Sequence, residues 1–176
     1  MNVQEALSRV EPGLARYQWI QANFARTDAR IDRDFRRRFN GFYRVRRNKA
    51  WQAVFYAELE REKRERRGFE AVLRSLNAEL GRVEASFASK LVATVDPREP
   101  VIDSLVLRNV GMRLPAPGSA RRLDGVVAVH RALADWYAAA LVRPVGVAAL
   151  RAFDATYPDA DLTPLKKLDL ILWQLR

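Results

Sequence analysis

The sequence predicts an all-α protein, and three observations support this fold class. Apolar residues recur every three or four positions along most of the 176 residues, which is the spacing that places side chains on one face of a helix. No segment alternates between apolar and polar residues as a half-buried strand would. Residues that favour helix starts and stops stand between the periodic segments. The length suits a single globular domain, residues 1–176, with a substantial core.

We expect eight or nine helices. In chain order they cover about 12–26, 28–47, 49–67, 69–80, 86–95, 103–110, 119–141, 144–157 and 164–175. Residues able to cap these helices precede several of them: Thr27 or Asp28, Asn48, Ser86, Asp103, Ser119 and Thr163. The Pro/Gly/Ser cluster at 114–119 is the only candidate for a sub-boundary within the domain.

The composition excludes several kinds of site. The chain has no cysteine and one histidine, His130. Disulfides, a thiolate nucleophile, cysteine-bound zinc and a Ser-His-Asp triad are therefore not expected, and we predict neither a metal nor a cofactor. The N-terminus lacks an apolar signal core and no run approaches 18 uncharged apolar residues, so we expect a cytoplasmic protein without membrane association. Nothing in the composition indicates an oligomeric state.

The charge balance points to a polyanionic partner. There are 31 basic against 21 acidic residues, a net charge of +10, and most of the basic residues are arginine. The planar guanidinium group of arginine suits phosphate recognition. We expect nucleic acid, and DNA in particular, as the partner. The alternative is an acidic protein.

Residues 34–49, "DFRRRFNGFYRVRRNK", form the most basic segment, which we call the basic stretch. It holds seven cations and one acid, Asp34. On an ideal helix its aromatic residues share one arc with other apolar positions, which predicts that they pack in the core. The candidate phosphate contacts are Arg36, Arg37, Arg44, Arg47 and Lys49.

Two arginines of the basic stretch, Arg38 and Arg46, fall on the apolar arc of that helix. One interpretation is that Asn40 and Gly41 break the helix and change its phase, since glycine destabilises a helix interior. Another is that both side chains are partly buried beside carboxylates, or reach solvent at the edge. In a third, they line a pocket for an anion.

A second charged run, "EREKRERR" at 60–67, is mixed in sign. Glu60 and Arg64 are four residues apart, as are Glu62 and Arg66, a spacing that supports an exposed helix. We therefore expect this run to form a solvated helix face.

Residues 80–112 resemble a segment of the helix–hairpin–helix DNA glycosylase superfamily, the endonuclease III and 8-oxoguanine glycosylase type. The matching positions are Leu80, Val83 and Ala88 in the hairpin segment, Ile102, Asp103 and Val106 in the aspartate segment, and Val110, Gly111 and Met112 at its end. The resemblance implies that Asp103 assists base loss, by stabilising an oxocarbenium-like sugar or by activating the attacking nucleophile.

The same segment departs from the family at three positions. Arg82 and Glu84 stand where the family has the hairpin glycines that hold a DNA phosphate, and Ser86 replaces the lysine of the bifunctional lyases. Lys90, one turn further on, is the candidate to take that place. Asp103 has a structural interpretation as an N-cap, and Lys90 has one as a surface lysine.

Two functions are therefore expected. The first is a helical nucleic-acid-binding protein with a DNA glycosylase-like core, in which, if it is an enzyme, Asp103 acts on a flipped nucleotide. The alternative is a non-enzymatic helical module that binds an acidic protein.

Overall fold

Helices make up most of the chain in the computed structural model, which describes residues 3–175. In chain order these residues form α1 Val3–Ser8, α2 Glu11–Phe24, α3 Arg33–Tyr43, α4 Lys49–Glu65, α5 Phe69–Leu80, α6 Ala85–Val95, α7 Ser104–Asn109, α8 Arg122–Val142, α9 Pro144–Thr156 and α10 Pro164–Gln174. Within residues 3–175 there is no strand. The all-α prediction is confirmed. The six-residue helix α1 was not predicted.

Three of the predicted helix caps are present. The side chains of Asn48, Asp103 and Thr163 each accept a hydrogen bond from a backbone N–H in the first turn of α4, α7 and α10, at 2.9, 2.8 and 3.2 Å. Each bond satisfies a donor that has no partner within the helix itself. At these three points the local sequence alone determines where the helix begins.

The predicted start of α3 is wrong. Its cap is Asp32, which accepts the backbone N–H of Phe35 at 2.8 Å. Asp28, the predicted cap, lies in the preceding turn, where its carbonyl accepts the backbone N–H groups of Ile31 and Asp32. Ile31 is consequently outside the helix and 76% exposed, although the predicted helix over 28–47 includes it.

Two further predicted caps are wrong. Ser86 lies inside α6, because that helix begins at Ala85. Ser119 lies in a turn, where its carbonyl accepts the backbone N–H of Arg122 at 3.0 Å, and α8 starts only after Arg121. In both cases a serine suited to capping stands one to three residues away from the actual start.

The chain forms two compact units. Unit 1 comprises Met1–Glu11 and Asp96–Arg176, and unit 2 comprises Pro12–Val95. The chain passes between the units at 11–12 and at 95–96, and the 114–119 loop lies inside unit 1.

Unit 2 has an aromatic core. Phe39 of α3 lies 4.7 Å from Tyr43 and 5.7 Å from Phe55 of α4, measured between ring centroids. The four aromatic residues of the basic stretch are all buried: Phe35, Phe39, Phe42 and Tyr43. The interpretation of these rings as core residues is confirmed.

Unit 1 is built around α10, which contacts α1, α7, α8 and α9. Its buried face carries Leu165, Leu168, Ile171 and Leu172. Among the residues that the structure describes, no single helix combines the length and the apolar composition needed to cross a membrane; α8 and α9 do so only together, across a 78° bend.

Candidate nucleic-acid interface

The positive charge of the protein is concentrated in unit 2. Residues 12–95 hold 19 basic and 10 acidic residues, whereas the rest of the chain holds 12 and 11. Unit 2 therefore carries nine of the ten net positive charges. Since electrostatic attraction of a polyanion follows the local charge distribution, unit 2 is the place to look for an anionic partner.

The basic stretch spans α3, a short loop and the first residue of α4. The helix continues through Gly41 and ends at Arg44, which adopts the left-handed conformation with φ 54°. The backbone N–H groups of Arg44 and Val45 both bond to the carbonyl of Asn40. The proposed break at Asn40 and Gly41 is thus wrong, and the chain leaves the helix three residues later.

Two of the candidate phosphate contacts have partners inside unit 2. The Nε of Arg36 donates to the carbonyl of Ala29 at 2.6 Å, and its guanidinium group lies 4.9 Å from the ring centre of Tyr56. Arg47 pairs with Glu84 at 3.3 Å and lies 5.3 Å from the ring centre of Phe87. Both arginines are half-buried.

The other candidates are exposed. Arg37 is 75% exposed in its side chain and, among the residues that the structure describes, forms an ion pair only with Asp34. Arg44 and Lys49 are exposed at the end of α3 and the start of α4. These three, together with Arg46, are the cations of the basic stretch that a ligand reaches most readily.

Arg38 and Arg46 reach solvent by different routes. Arg38 stays on α3, where its Nε bonds to Asp34 Oδ2 at 3.0 Å and its guanidinium group lies 4.2 Å from the ring centre of Trp19. Arg46 lies beyond the end of the helix, is exposed, and makes no ion pair within the described residues. The ideal-helix projection therefore applies to Arg38, which is part of α3, but not to Arg46, which follows the end of α3.

A groove of about 530 Å³ lies between α2 and α3. We call it the α2–α3 groove. Its lining residues are Ala15, Arg16, Trp19, Arg37, Arg38, Gly41 and Phe42. Of the two residues predicted for an anion pocket, Arg38 lines this groove and Arg46 does not. Arg16 and Trp19 were not predicted, although their three-residue spacing places them on one face of α2.

The loop between α5 and α6 corresponds to the hairpin of the glycosylase resemblance. Helix α5 ends at Gly81, which is left-handed with φ 66°. Glu84 is only 5% exposed and accepts the indole N–H of Trp51 at 2.9 Å. The guanidinium groups of Arg47 and Arg82 also pair with it, at 3.3 and 3.0 Å. Its negative charge is thus matched inside unit 2.

The two candidate catalytic residues belong to different units. Lys90 lies on α6 in unit 2, where its ammonium group donates to the carbonyl of Tyr43 at 3.4 Å and lies 5.3 Å from the ring centre of Phe87. Asp103 is the N-cap of α7 in unit 1. Each therefore has a structural role.

Unit 1 also holds a buried charged network that the sequence did not reveal. Asp169 accepts a hydrogen bond from the Tyr137 hydroxyl at 3.0 Å and pairs with Lys166 at 2.7 Å. Burial, together with the charges of Asp169 and Asp103, raises the pKa of Tyr137 well above its ordinary value. A lysine and an aspartate three residues apart on an amphipathic helix normally indicate a surface pair, so only the packing of α10 reveals this network.

Within residues 3–175 no group of three or more His, Asp or Glu side chains is placed to hold a metal ion. No protein-family model matches the sequence, and no match is found among characterised proteins or among solved structures.

Proposed function

We propose that unit 2 binds nucleic acid through the exposed cations of the basic stretch. The observation that carries this proposal is the concentration of the net charge in residues 12–95. The contacting side chains would be Arg37, Arg44, Arg46 and Lys49, all exposed on or just after α3. Such contacts to phosphate oxygens position a nucleic acid without reading its sequence.

The binding energy would come mainly from release of counterions condensed on the nucleic acid. Each phosphate neutralised contributes about 0.7 to 0.9 to the slope of log K against log salt concentration. Arg36 and Arg47 are left out of the contact set, because each already has partners within unit 2. Changing either of them would alter the packing as well as the charge.

The test compares two triple variants that remove the same charge. Arg37→Ala, Arg46→Ala and Lys49→Ala remove three exposed cations of the basic stretch, whereas Arg113→Ala, Arg121→Ala and Arg151→Ala remove three exposed cations of unit 1. Binding of labelled single-stranded and duplex oligonucleotides is measured by fluorescence anisotropy across a salt series. The first variant should lower the salt slope by about 2.

The unit 1 variant should keep the wild-type slope. Equal slopes for both variants, or no binding of DNA or RNA at low salt, would contradict the proposal. Polyglutamate of matched charge serves as the competitor. If it displaces the oligonucleotide at equal charge concentration, the protein recognises acidic polymers in general, as the acidic-protein alternative requires.

A base-excision activity is the second candidate function, favoured by the arrangement of α5, the four-residue loop 81–84 and α6, followed by Asp103 at the start of α7. This order of elements is the one that the resemblance to helix–hairpin–helix glycosylases implies. Asp103 would then act on a nucleotide flipped out of the duplex. The buried Glu84 occupies a position where the family hairpin has a glycine that holds a DNA phosphate, and its negative charge would repel that phosphate. The phosphates would therefore have to be bound elsewhere.

A further inference from the structure

The α2–α3 groove has a wall of positive charge. Three of its lining residues carry guanidinium groups: Arg16, Arg37 and Arg38. Asp34 pairs with the two α3 arginines of the lining, Arg37 and Arg38, but it is not itself a lining residue. Arg16 makes no ion pair within residues 3–175. The groove therefore has an excess of positive charge that favours an anionic ligand.

The rest of the lining is apolar. Ala15, Trp19 and Phe42 contribute a methyl group and two aromatic rings, and none of the lining residues carries an amide, hydroxyl or carboxylate side chain. Such a lining can contact the face of a planar ligand but has no side-chain acceptor to read its edge. We therefore expect a ligand that combines an anionic group with a flat apolar surface.

Trp19 and Arg38 form a stacked pair in this lining. The guanidinium carbon of Arg38 lies 4.2 Å from the indole ring centre, and Asp34 holds the Nε of the same guanidinium group at 3.0 Å. Trp19 itself packs against Phe35 at 6.4 Å between ring centroids. Because contacts with Asp34 and Phe35 hold both partners in place, the pair offers a preorganised surface of the kind on which nucleobases stack.

Gly41 keeps the groove open. It lies within α3, and a Cβ atom added there would meet no heavy atom within 4 Å. Glycine destabilises a helix interior relative to alanine, and neither a close contact nor a positive φ requires it at this position. A larger side chain here would extend into the groove without disturbing the core.

We propose that the α2–α3 groove binds one unpaired nucleotide of a single-stranded nucleic acid. The base stacks on the Trp19–Arg38 pair, and Arg16 and Arg37 contact the adjoining phosphate. A volume of about 530 Å³ is within the range of small-ligand sites and accommodates a nucleotide. The inference rests on the proposed nucleic-acid binding and adds to it a preference for single strands with little dependence on base identity.

The test uses Gly41→Leu, which fills the groove, and Ala78→Leu, which adds the same side chain to an exposed position of α5 outside it. Affinities are measured for a single-stranded homopolymer and for a duplex hairpin of equal length. Gly41→Leu should weaken single-strand binding about tenfold, because loss of one base–aromatic contact has an effect of that order. Duplex binding should change less than about twofold, and Ala78→Leu should change neither affinity.

A second measurement does not depend on the groove being filled. Binding of the single-stranded homopolymer should quench the tryptophan fluorescence of the wild-type protein. Trp19→Phe should show less quenching, because the part that comes from Trp19 is lost. Unchanged single-strand binding in Gly41→Leu, or equal losses for single strand and duplex, would overturn the inference while leaving the proposed function intact.

Two further outcomes distinguish the inference from its alternatives. If the wild-type protein binds neither oligonucleotide, both the proposed function and this inference fail. If Gly41→Leu abolishes binding to phosphatidylserine vesicles but not to the homopolymer, the groove is a lipid headgroup site and the nucleotide assignment is overturned.

Discussion

The cations of the basic stretch differ in what their side chains touch. Arg36 and Arg47 contact aromatic rings, and their guanidinium groups donate to Ala29 and Glu84 of unit 2, so they contribute to its stability. Arg37, Arg46 and Lys49 are exposed, and the last two make no ion pair within residues 3–175. A loss of nucleic-acid binding on changing Arg36 or Arg47 would therefore not by itself show a phosphate contact.

At Asp103, capping and catalysis can be separated by two substitutions. Asn is as good an N-cap as Asp, whereas Ala removes the bond to the backbone N–H of Leu105. We expect Asp103→Ala to lower the free energy of unfolding by about 1 kcal/mol and Asp103→Asn to leave it nearly unchanged. Urea unfolding measures both.

The same pair of variants tests base excision on damaged duplexes. If Asp103 acts in catalysis, Asp103→Asn should abolish base release although it preserves the fold. Base release that survives in Asp103→Asn would remove Asp103 from the reaction.

At the scale of elements, α4 shows how a charged run becomes part of the core. Glu60 and Glu62 of the 60–67 run are buried, contrary to the predicted solvated face, and so is the preceding Glu58. The prediction is confirmed for four other residues of the run, which are exposed: Arg61, Arg64, Glu65 and Arg66. Glu62 accepts the backbone N–H groups of Arg67 and Gly68 at 2.9 and 2.8 Å, which fixes the turn into α5. Glu58 pairs with Arg67 in the same turn.

Removal of the Glu62 carboxylate should therefore destabilise unit 2 strongly. Glu62→Ala leaves two backbone donors and the half-buried Arg67 without this acceptor, and we expect a loss of about 3 kcal/mol in the free energy of unfolding. Glu62→Gln retains one acceptor oxygen and should lose less. Glu79→Ala, at an exposed position of α5, is the control and should stay within about 0.5 kcal/mol of wild type in urea unfolding.

If Glu62→Ala and Glu79→Ala unfold at the same urea concentration, the bonds to the α4–α5 turn have no net stabilising effect. The comparison with Gln separates loss of the charge from loss of the acceptor.

Helix identity was predictable from this sequence and some boundaries were not. Asn48 caps α4 as predicted because no other suitable capping residue stands next to that helix start. Thr163 caps α10 as predicted because Pro164 follows it, and proline is favoured at the first position of a helix. Before α3 both Asp28 and Asp32 are suitable, and the choice depends on the turn that Asp28 makes. The end of α3 depends on Arg44 adopting the left-handed conformation. Glycine is the usual residue at such a helix end, so an arginine there does not predict one.

At the scale of the whole molecule, the charge total was evident from the sequence, but its segregation was not. Residues 12–95 become one unit because their helices pack together, and this packing assigns nine of the ten net charges to it. The α2–α3 groove was likewise not evident from the sequence, since it combines residues of two helices that are separated along the chain. Periodicity describes one helix at a time and does not pair helices.

The pH dependence of stability should be dominated by His130 in unit 1 below neutral pH. Burial lowers its pKa to about 4, against 6.5 in the unfolded chain, although the hydrogen bond with the Pro100 backbone acts in the opposite direction. Its Nε2 lies 3.8 Å from Glu99 Oε2. The unfolded chain binds a proton first, so stability present above pH 6.5 is lost as the pH falls towards 4.

The expected loss is at most about 3 kcal/mol over that window. Urea unfolding at pH 7.5, 5.5 and 4.5 would measure it, with His130→Gln as the comparison. The variant should be less stable at pH 7.5 but should lose less stability than wild type as the pH is lowered. Parallel losses in the two proteins would assign the acid sensitivity to other groups.

Glu84 ties the α5–α6 loop to the interior through the indole N–H of Trp51 and the guanidinium group of Arg47. Replacement of Glu84 by glycine would leave the Trp51 indole N–H and the Arg47 guanidinium group without their acceptor and would lower the stability of the protein. The loop and the core beneath it can therefore change only together. On this scaffold, a glycine hairpin that holds phosphate is therefore separated from the present sequence by a destabilising substitution.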